Sequence, residues 1–420
     1  MRLFTVFTCL MLAFNIATVP AYGADLESTT DSLTLQDALT LALNANPELA
    51  VLTREREAIE GAQLQAAARP NPSISALVED TRNATRQTTI QIEQTIELGS
   101  KREARMSAAD IRLEAATIDL AIKKAEILGA VKSAFYEALA AQERVRLSES
   151  SLLLAQQTRE TAAKRVKAGK ISPIEETKSR VTESGARIES KQAASTLVAA
   201  KKHLAALWGN ANPRFLSVIG QLDVLPPIPS LAQLSEHLEE APIIRRAKLE
   251  ITHREALSQI EESRRTPDVT VSLGARRNEE LGLNQAIFGI SVPIPLFDRN
   301  QGNLQEAISR AYKAGDELVA VRISNATDLS AAHENLVNAS QEANSLQVEI
   351  LPDAQNAYEA TIKGFEFGKF DFINVLDAQR VLSQAKSQRL NALLSAHQAL
   401  ADIERILGID ATHLASGAMK

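Results

Sequence analysis

Between Ser100 and Val166 the chain runs for 67 residues without a proline and with a single glycine, Gly129. As one α-helix this stretch makes a rod of about 100 Å, far longer than a conventional globular core requires. Small and apolar residues recur along it every seventh position in several registers. Leu113, Leu120, Ile127, Ala134 and Ala141 form one, Ile111, Ile118 and Ala125 a second, and Val131, Ala138, Val145 and Leu152 a third. Several stripes on one helix predict neighbours on several sides.

Composition agrees with close-packed long helices. Aromatic residues are only 4% of the 420, and alanine is abundant. The net charge of -6 is spread along the chain with no basic block, so no nucleic-acid partner is expected. At the N-terminus, Arg2 precedes an apolar run from Leu3 to Val19, then Pro20 and Ala21-Tyr22-Gly23. Residues 1–23 read as a secretory signal peptide cleaved after Gly23, the competing reading being an N-terminal membrane anchor. Cys9, the one cysteine, sits inside the apolar run rather than at its end, so neither a lipid anchor nor a disulfide is expected. No later stretch approaches the roughly 20 apolar residues of a spanning helix. Any passage through a membrane must use strands.

After a polar leader, Thr34 caps a short amphipathic helix that breaks at Asn46-Pro47, and a second helix covers about 48–68. Pro70 and Pro72 end it, and the apolar period changes to two. Ile74, Ala76 and Val78 mark a strand at about 73–79; Ile90, Ile92, Ile96 and Leu98 mark another at about 88–98. The long helix, about 100–167, stops at Ala168-Gly169-Lys170-Ile171-Ser172-Pro173. That order of glycine, serine cap and N-terminal proline is a helix stop followed by a start, so the chain reverses into a return helix at about 173–208. Residues 210–229 form a proline-rich linker, and the pattern then repeats. Pro47 and Pro242 lie 195 residues apart, as do Pro72 and Pro267; Gly169 and Gly368 lie 199 apart, as do Gly209 and Gly408. The chain is a tandem duplication, with a first repeat over 24–209, a second over 230–408 and a tail at 409–420. In the second repeat, strands are expected at about 268–276 and 286–296, a long helix at about 300–366 and a return helix at about 372–407. Pro293 and Pro295 place the end of that second strand at an edge or exit. Pro352 should kink the long helix or begin a new segment.

Each unit thus holds one long helix, two shorter ones that together nearly match it, and a hairpin at the end away from the reversals. Four strands with an apolar face cannot close a barrel and cannot stay open in water or lipid. Closure requires several chains, three giving 12 strands being the simplest count, with two and four also arithmetically possible.

LTLQDALTLALNANPEL, the duplicated order of elements, and the tips RVKAGKISPIEE and GFEFGKFDFINVLDAQRVL resemble the TolC-type outer-membrane efflux channels over residues 33–408. SVPIPLFDRNQGNLQEA is similar to the heavy-metal, cobalt–zinc–cadmium (CzcC-like) branch. The resemblance implies a mainly α fold with a small β part: a homotrimer whose 12-stranded barrel in the outer-membrane lipid continues into a 12-helix periplasmic tunnel. It implies a periplasmic adaptor (membrane fusion) protein and a proton-driven, RND-type inner-membrane pump as partners, and export of divalent heavy-metal cations, with drugs, other organic compounds or type I secretion as alternative cargoes. Gly169, Lys170 and Ile171, with Gly368, Lys369 and Phe370, would be the adaptor-contacting tips, or simply tight turns that need glycine. The family's acidic constriction maps onto Asn374 and Asp377, so one ring of carboxylates is expected rather than two, unless Asp377 is merely a solvated surface residue. Like charges in a narrow pore attract cations and resist ionising together. Phe370 stands where related channels place an arginine of the closing network.

No enzyme constellation is legible, and no cofactor is expected. His203, His237, His253, His333, His397 and His413 stand singly without a helical partner or cysteine, so no metal-ligand set is expected. After signal cleavage only Met106 and Met419 remain, too few for a thioether relay. A periplasmic coiled-coil adaptor or scaffold is the competing class, but it explains neither the duplication nor the apolar strands. Cell fractionation is expected to find a heat-labile trimer in the outer membrane; recovery as a soluble periplasmic protein would reject the channel.

Overall fold

The computed structural model describes residues 32–411; the signal-peptide reading of 1–23, with Cys9, and most of the expected tail lie outside them. The elements in order are β1 (Ser32–Thr34), α1 (Leu35–Ala45), α2 (Pro47–Ala66), β2 (Ser73–Glu79), β3 (Gln87–Ile96), α3 (Lys101–Lys167), α4 (Pro173–Ala206) and β4 (Ser217–Ile219). The second repeat supplies α5 (Leu231–Leu238), α6 (Pro242–Ser263), β5 (Val269–Asn278), β6 (Leu283–Ser291), α7 (Gln301–Ser345), α8 (Leu351–Glu366) and α9 (Phe372–Leu407). A single π turn, Leu346–Ile350, joins α7 to α8, and Pro352 is the second residue of α8.

Local chemistry sets these boundaries. The Thr34 hydroxyl accepts the Asp37 N–H while the Asp37 carboxylate accepts the Thr34 N–H, each at 3.2 Å, a reciprocal cap that starts α1. Asn46 then closes α1 and opens α2. Its N–H donates to the Ala42 carbonyl at 3.0 Å, and its side-chain oxygen accepts from Glu48 and Leu49 at 2.8 and 3.1 Å. Its amide nitrogen reaches the Leu207 carbonyl at the end of α4, 2.7 Å away. The duplication reappears as one contact made twice. Gly209, after α4, and Gly408, after α9, are left-handed (φ +77° and +70°), and a Cβ on either would press on the proline that opens α2 or α6, Pro47 at 3.3 Å and Pro242 at 2.7 Å.

β2, β3, β5 and β6 form one antiparallel sheet in that order. Register places Ile74 opposite Ile92, Ile90 opposite Ala275, Leu273 opposite Phe288 and Val271 opposite Ile290. These side chains share one face, which is open: Ile74 is 74% and Phe288 68% exposed. The opposite face carries Thr89, Gln91, Glu93, Thr95, Ser272 and Arg276, whose Nε donates to the Thr89 hydroxyl at 3.1 Å. The expected last strand to residue 296 is corrected by the structure. β6 ends at Ser291, because Pro293 and Pro295 offer no N–H to a ladder.

The helical core is alanine-rich. Ala38 and Ala42 of α1, Val131, Ala134, Phe135 and Ala138 of α3, Leu204 of α4 and Leu393 of α9 form its main cluster, and Gly129 lets α9 approach so closely that a Cβ there would sit 3.0 Å from that of Arg405. The segment 210–229, expected to be a plain linker, holds β4, which pairs in parallel with β1 and exchanges two 3.3 Å hydrogen bonds between Val218 and the Gln142 side chain. Farther along, buried His397 of α9 donates from Nε2 to the Leu222 carbonyl at 3.2 Å. Its ring stacks on Tyr136 of α3 at 3.9 Å and 13°.

Burial holds the His397 pKa below its ordinary 6.5, against the opposing pull of the Leu222 and Val224 carbonyls. A histidine with a depressed folded pKa binds fewer protons folded than unfolded, so its contribution is present above about 6.5 and is lost as pH falls through that value toward the folded pKa. The thermal midpoint of the wild type is therefore expected to drop more steeply below pH about 6.5 than that of His397→Phe. Parallel pH profiles would refute this.

Candidate functional site

The two helix reversals lie at the end of the molecule opposite the sheet, and both are built alike. At the first, Lys170 N–H donates to the Arg165 carbonyl and Gly169 N–H to Val166, each at 2.9 Å. At the second, Lys369 N–H donates to Gly364 at 2.7 Å and Gly368 N–H to Phe365 at 2.9 Å. Both are Schellman turns, which need a left-handed residue after the helix; Gly169 (φ +67°) and Gly368 (φ +74°) supply it. The turns present Lys170 and Lys369 to solvent, while Ile171 packs on the tip core of Ala162, Phe365, Phe372 and Val375.

A charged side chain adds to this apolar contact between the two tips. Arg165, in the last turn of α3, places its guanidinium 4.4 Å from the centre of the Phe365 ring and donates through Nη1 to the Phe365 carbonyl in the last turn of α8. It serves as both a cation–π partner and a second donor to a carbonyl that already accepts the Gly368 N–H. Nothing in the spacing of the sequence pointed to Arg165, because its partner lies 200 residues away. Gly364 was missed as well. A Cβ there would lie 2.1 Å from Cδ2 of Phe370, so the glycine is the seat on which that ring rests. The lone signal was a further glycine four residues before Gly368.

Asn374 and Asp377, brought to the same wall one turn apart on α9, line a cleft of about 390 Å³ with Ala354, Ala357, Thr361, Phe370, Ala378 and Val381. Asp377 is exposed, and Arg380 of the same helix holds its Oδ1 at 2.8 Å, a pairing the sequence reading did not consider. The carboxylate therefore carries a flexible counter-charge with it, and an exposed pair of this kind is weak. Pro352 lies two residues before Ala354 at the upper rim of the cleft, beside the π turn. Among the described residues no group of three His, Cys, Asp or Glu side chains is placed to hold a metal ion, and no helix is long and apolar enough to cross a membrane.

Residues 38–210 and 233–409 each match the family model described as outer membrane efflux protein. The chain is 44% identical over 376 residues to the cobalt-zinc-cadmium resistance protein CzcC of Cupriavidus metallidurans, covering 90% of each. Among solved structures, the fold is similar to that of CusC (TM-score 0.78, 17% identity, 89% of this chain and 92% of that one). It is also similar to that of the open state of the MtrE outer membrane channel of Neisseria gonorrhoeae (TM-score 0.75, 19% identity, 90% and 89%).

The Gly364–Phe370 seat makes a separable prediction. Gly364→Ala should lower stability by about 1–3 kcal/mol through overpacking, and Phe370→Ala in the same chain should restore most of it. Thermal unfolding of the two single variants and the double variant measures the coupling; additive losses would dissolve the seat.

Proposed function

The chain belongs to the outer membrane efflux protein family, whose members are transport channels, and we propose that it is the exit duct of a tripartite system that discharges divalent heavy-metal cations. The observation that carries the reading is the sheet. Its apolar face is open, and the outer edges of β2 and β6 have no strand partner within the described residues. Such a sheet is stable only when its edges are closed by further copies and its face is covered by hydrocarbon. Three chains supply 12 strands, an apolar exterior and an interior lined by the Thr89–Gln91–Glu93 face. The helices then continue the barrel as a tunnel into the periplasm.

Within this reading the repeats are residues 24–209 and 230–408, with 210–229 strapping them together, and residues 1–23 direct export without an acyl anchor. The tips at Gly169–Ile171 and Gly368–Phe370 meet the adaptor, which links the duct to a proton-driven pump in the inner membrane. Metal as cargo is supported by the identity to CzcC, whose name states resistance to cobalt, zinc and cadmium. The duct needs no tight metal site for this. It needs water and a modest preference for cations, for which Asp377 is the candidate, three copies of it ringing the narrow end with Arg380 as a local counter-charge.

Deleting the gene is expected to lower tolerance to cobalt, zinc and cadmium and to leave tolerance to organic drugs unchanged; the reverse pattern would reassign the cargo. In a lipid bilayer, Asp377→Ala should weaken block by divalent cations and Arg380→Gln should strengthen it, whereas an unchanged response to both removes the ring. Replacing Gly169 or Gly368 by a bulky residue costs about 1–2 kcal/mol in the left-handed turn and should abolish efflux with trimers still in the membrane. Loss of the trimer instead would make these glycines structural.

A further inference from the structure

The two repeats differ most where a strand hands over to a long helix. Both junctions end on a left-handed residue, Ser100 and Asn300, each at φ +58°. From Ile96 to Lys101 the first junction is short, with Leu98 its one apolar side chain past the strand and its Glu97 carboxylate bonded to Arg105 of α3. From Ser291 to Gln301 the second is longer and apolar: Val292, Ile294, Leu296 and Phe297 point into open space, with Ile294 77% and Phe297 92% exposed. No described side chain covers them, and the charged pair Asp298-Arg299 follows at once.

We propose that residues 292–297 are an interfacial anchor that inserts into the periplasmic side of the outer-membrane bilayer, an inference that rests on the barrel reading above. Three observations select lipid as the occupant. The first is continuity. Ala286, Phe288 and Ile290 lie on the open apolar face, and Val292 extends the same alternation past the strand end.

The second is height. β3 and β5 have ten residues each; at about 3.3 Å per residue and about 40° of tilt they rise about 25 Å, the height of the apolar band of an outer-membrane barrel. β6 has nine residues and ends opposite Thr270 of β5, so Val292 completes the band by one residue and Ile294, Leu296 and Phe297 fall at its lower rim.

The third is backbone chemistry. Pro293 and Pro295 have no N–H to desolvate, and the Leu296 N–H is satisfied by the Ile294 carbonyl at 2.9 Å. With two of the six positions lacking an N–H and a third N–H bonded, the segment enters the polar–apolar boundary of a bilayer at lower cost than an ordinary extended strand would. The same prolines prevent it from extending the edge ladder to a second copy.

Tryptophan fluorescence tests this on the full-length protein in lipid nanodiscs. Trp208, the one tryptophan, is buried in the helical region, so Trp208→Phe provides a silent background for Phe297→Trp. The emission at 297 is expected to shift to shorter wavelength and to lose intensity when the lipids carry bromine near the headgroup end of their acyl chains, and less when the bromine is at the bilayer centre. Phe288→Trp on the sheet is the control. Quenching at 288 without quenching at 297, whether the probe is wet or covered by a second copy, overturns the anchor; absence of quenching at both overturns the barrel itself.

Discussion

A β-sheet with free edges and an uncovered apolar face cannot stand alone in either water or lipid, and everything else in this chain answers to that constraint. Backbone N–H and C=O groups at the outer edges of β2 and β6 must find partners before the sheet can enter hydrocarbon. The register that puts Ile74, Ile90, Ile92, Leu273, Phe288 and Ile290 on one face makes hydrocarbon the natural solvent for that face and water the natural solvent for the other. The closed barrel is thus a requirement of the backbone, and its strand number is a multiple of the four that each chain brings.

The helices carry the closed shape away from the membrane. Long rods packed side by side need small residues between them, which is why the core of α3, α4 and α9 is built on alanine and why Gly129 faces Arg405. At the far end, order is local and specific. Two Schellman turns stop the rods, and Arg165 ties one tip to the other through the Phe365 ring and carbonyl. The duplicated chain forms there a pair of similar tips joined by an apolar cluster and by Arg165 rather than two independent hairpins. The repeats differ at two places: the strand-to-helix junction of the second exposes Val292, Ile294, Leu296 and Phe297, and its long helix contains a π turn beside Pro352.

Much of this was legible in the sequence because the signals are periodic or are fixed by one residue's stereochemistry. Seven-residue stripes gave the rods, alternation gave the strands, and glycine before serine and proline gave the first reversal. Misplaced and missed features have two causes, competing local signals and partners distant in the chain. The end of β6 was read too far because Val292, Ile294 and Leu296 keep the alternation after Pro293 has removed the ladder. The β1–β4 pair was invisible because two three-residue strands have no pattern of their own. Arg165 carries no signature until the tip is assembled, because its partner is 200 residues away, whereas the Asp377–Arg380 pair was within reach of helical spacing.

The sequence by itself determined the duplication, the helix stops and starts, and the existence of an apolar strand face, since these follow from local conformational preference and hydrophobic period. Only the tertiary structure decided the register of β3 against β5, the strap that Gln142 and His397 fasten to the helices, and the meeting of the two tips at Arg165. Those depend on contacts between residues 76 to 200 positions apart, whose energies exist only after the chain has folded back on itself.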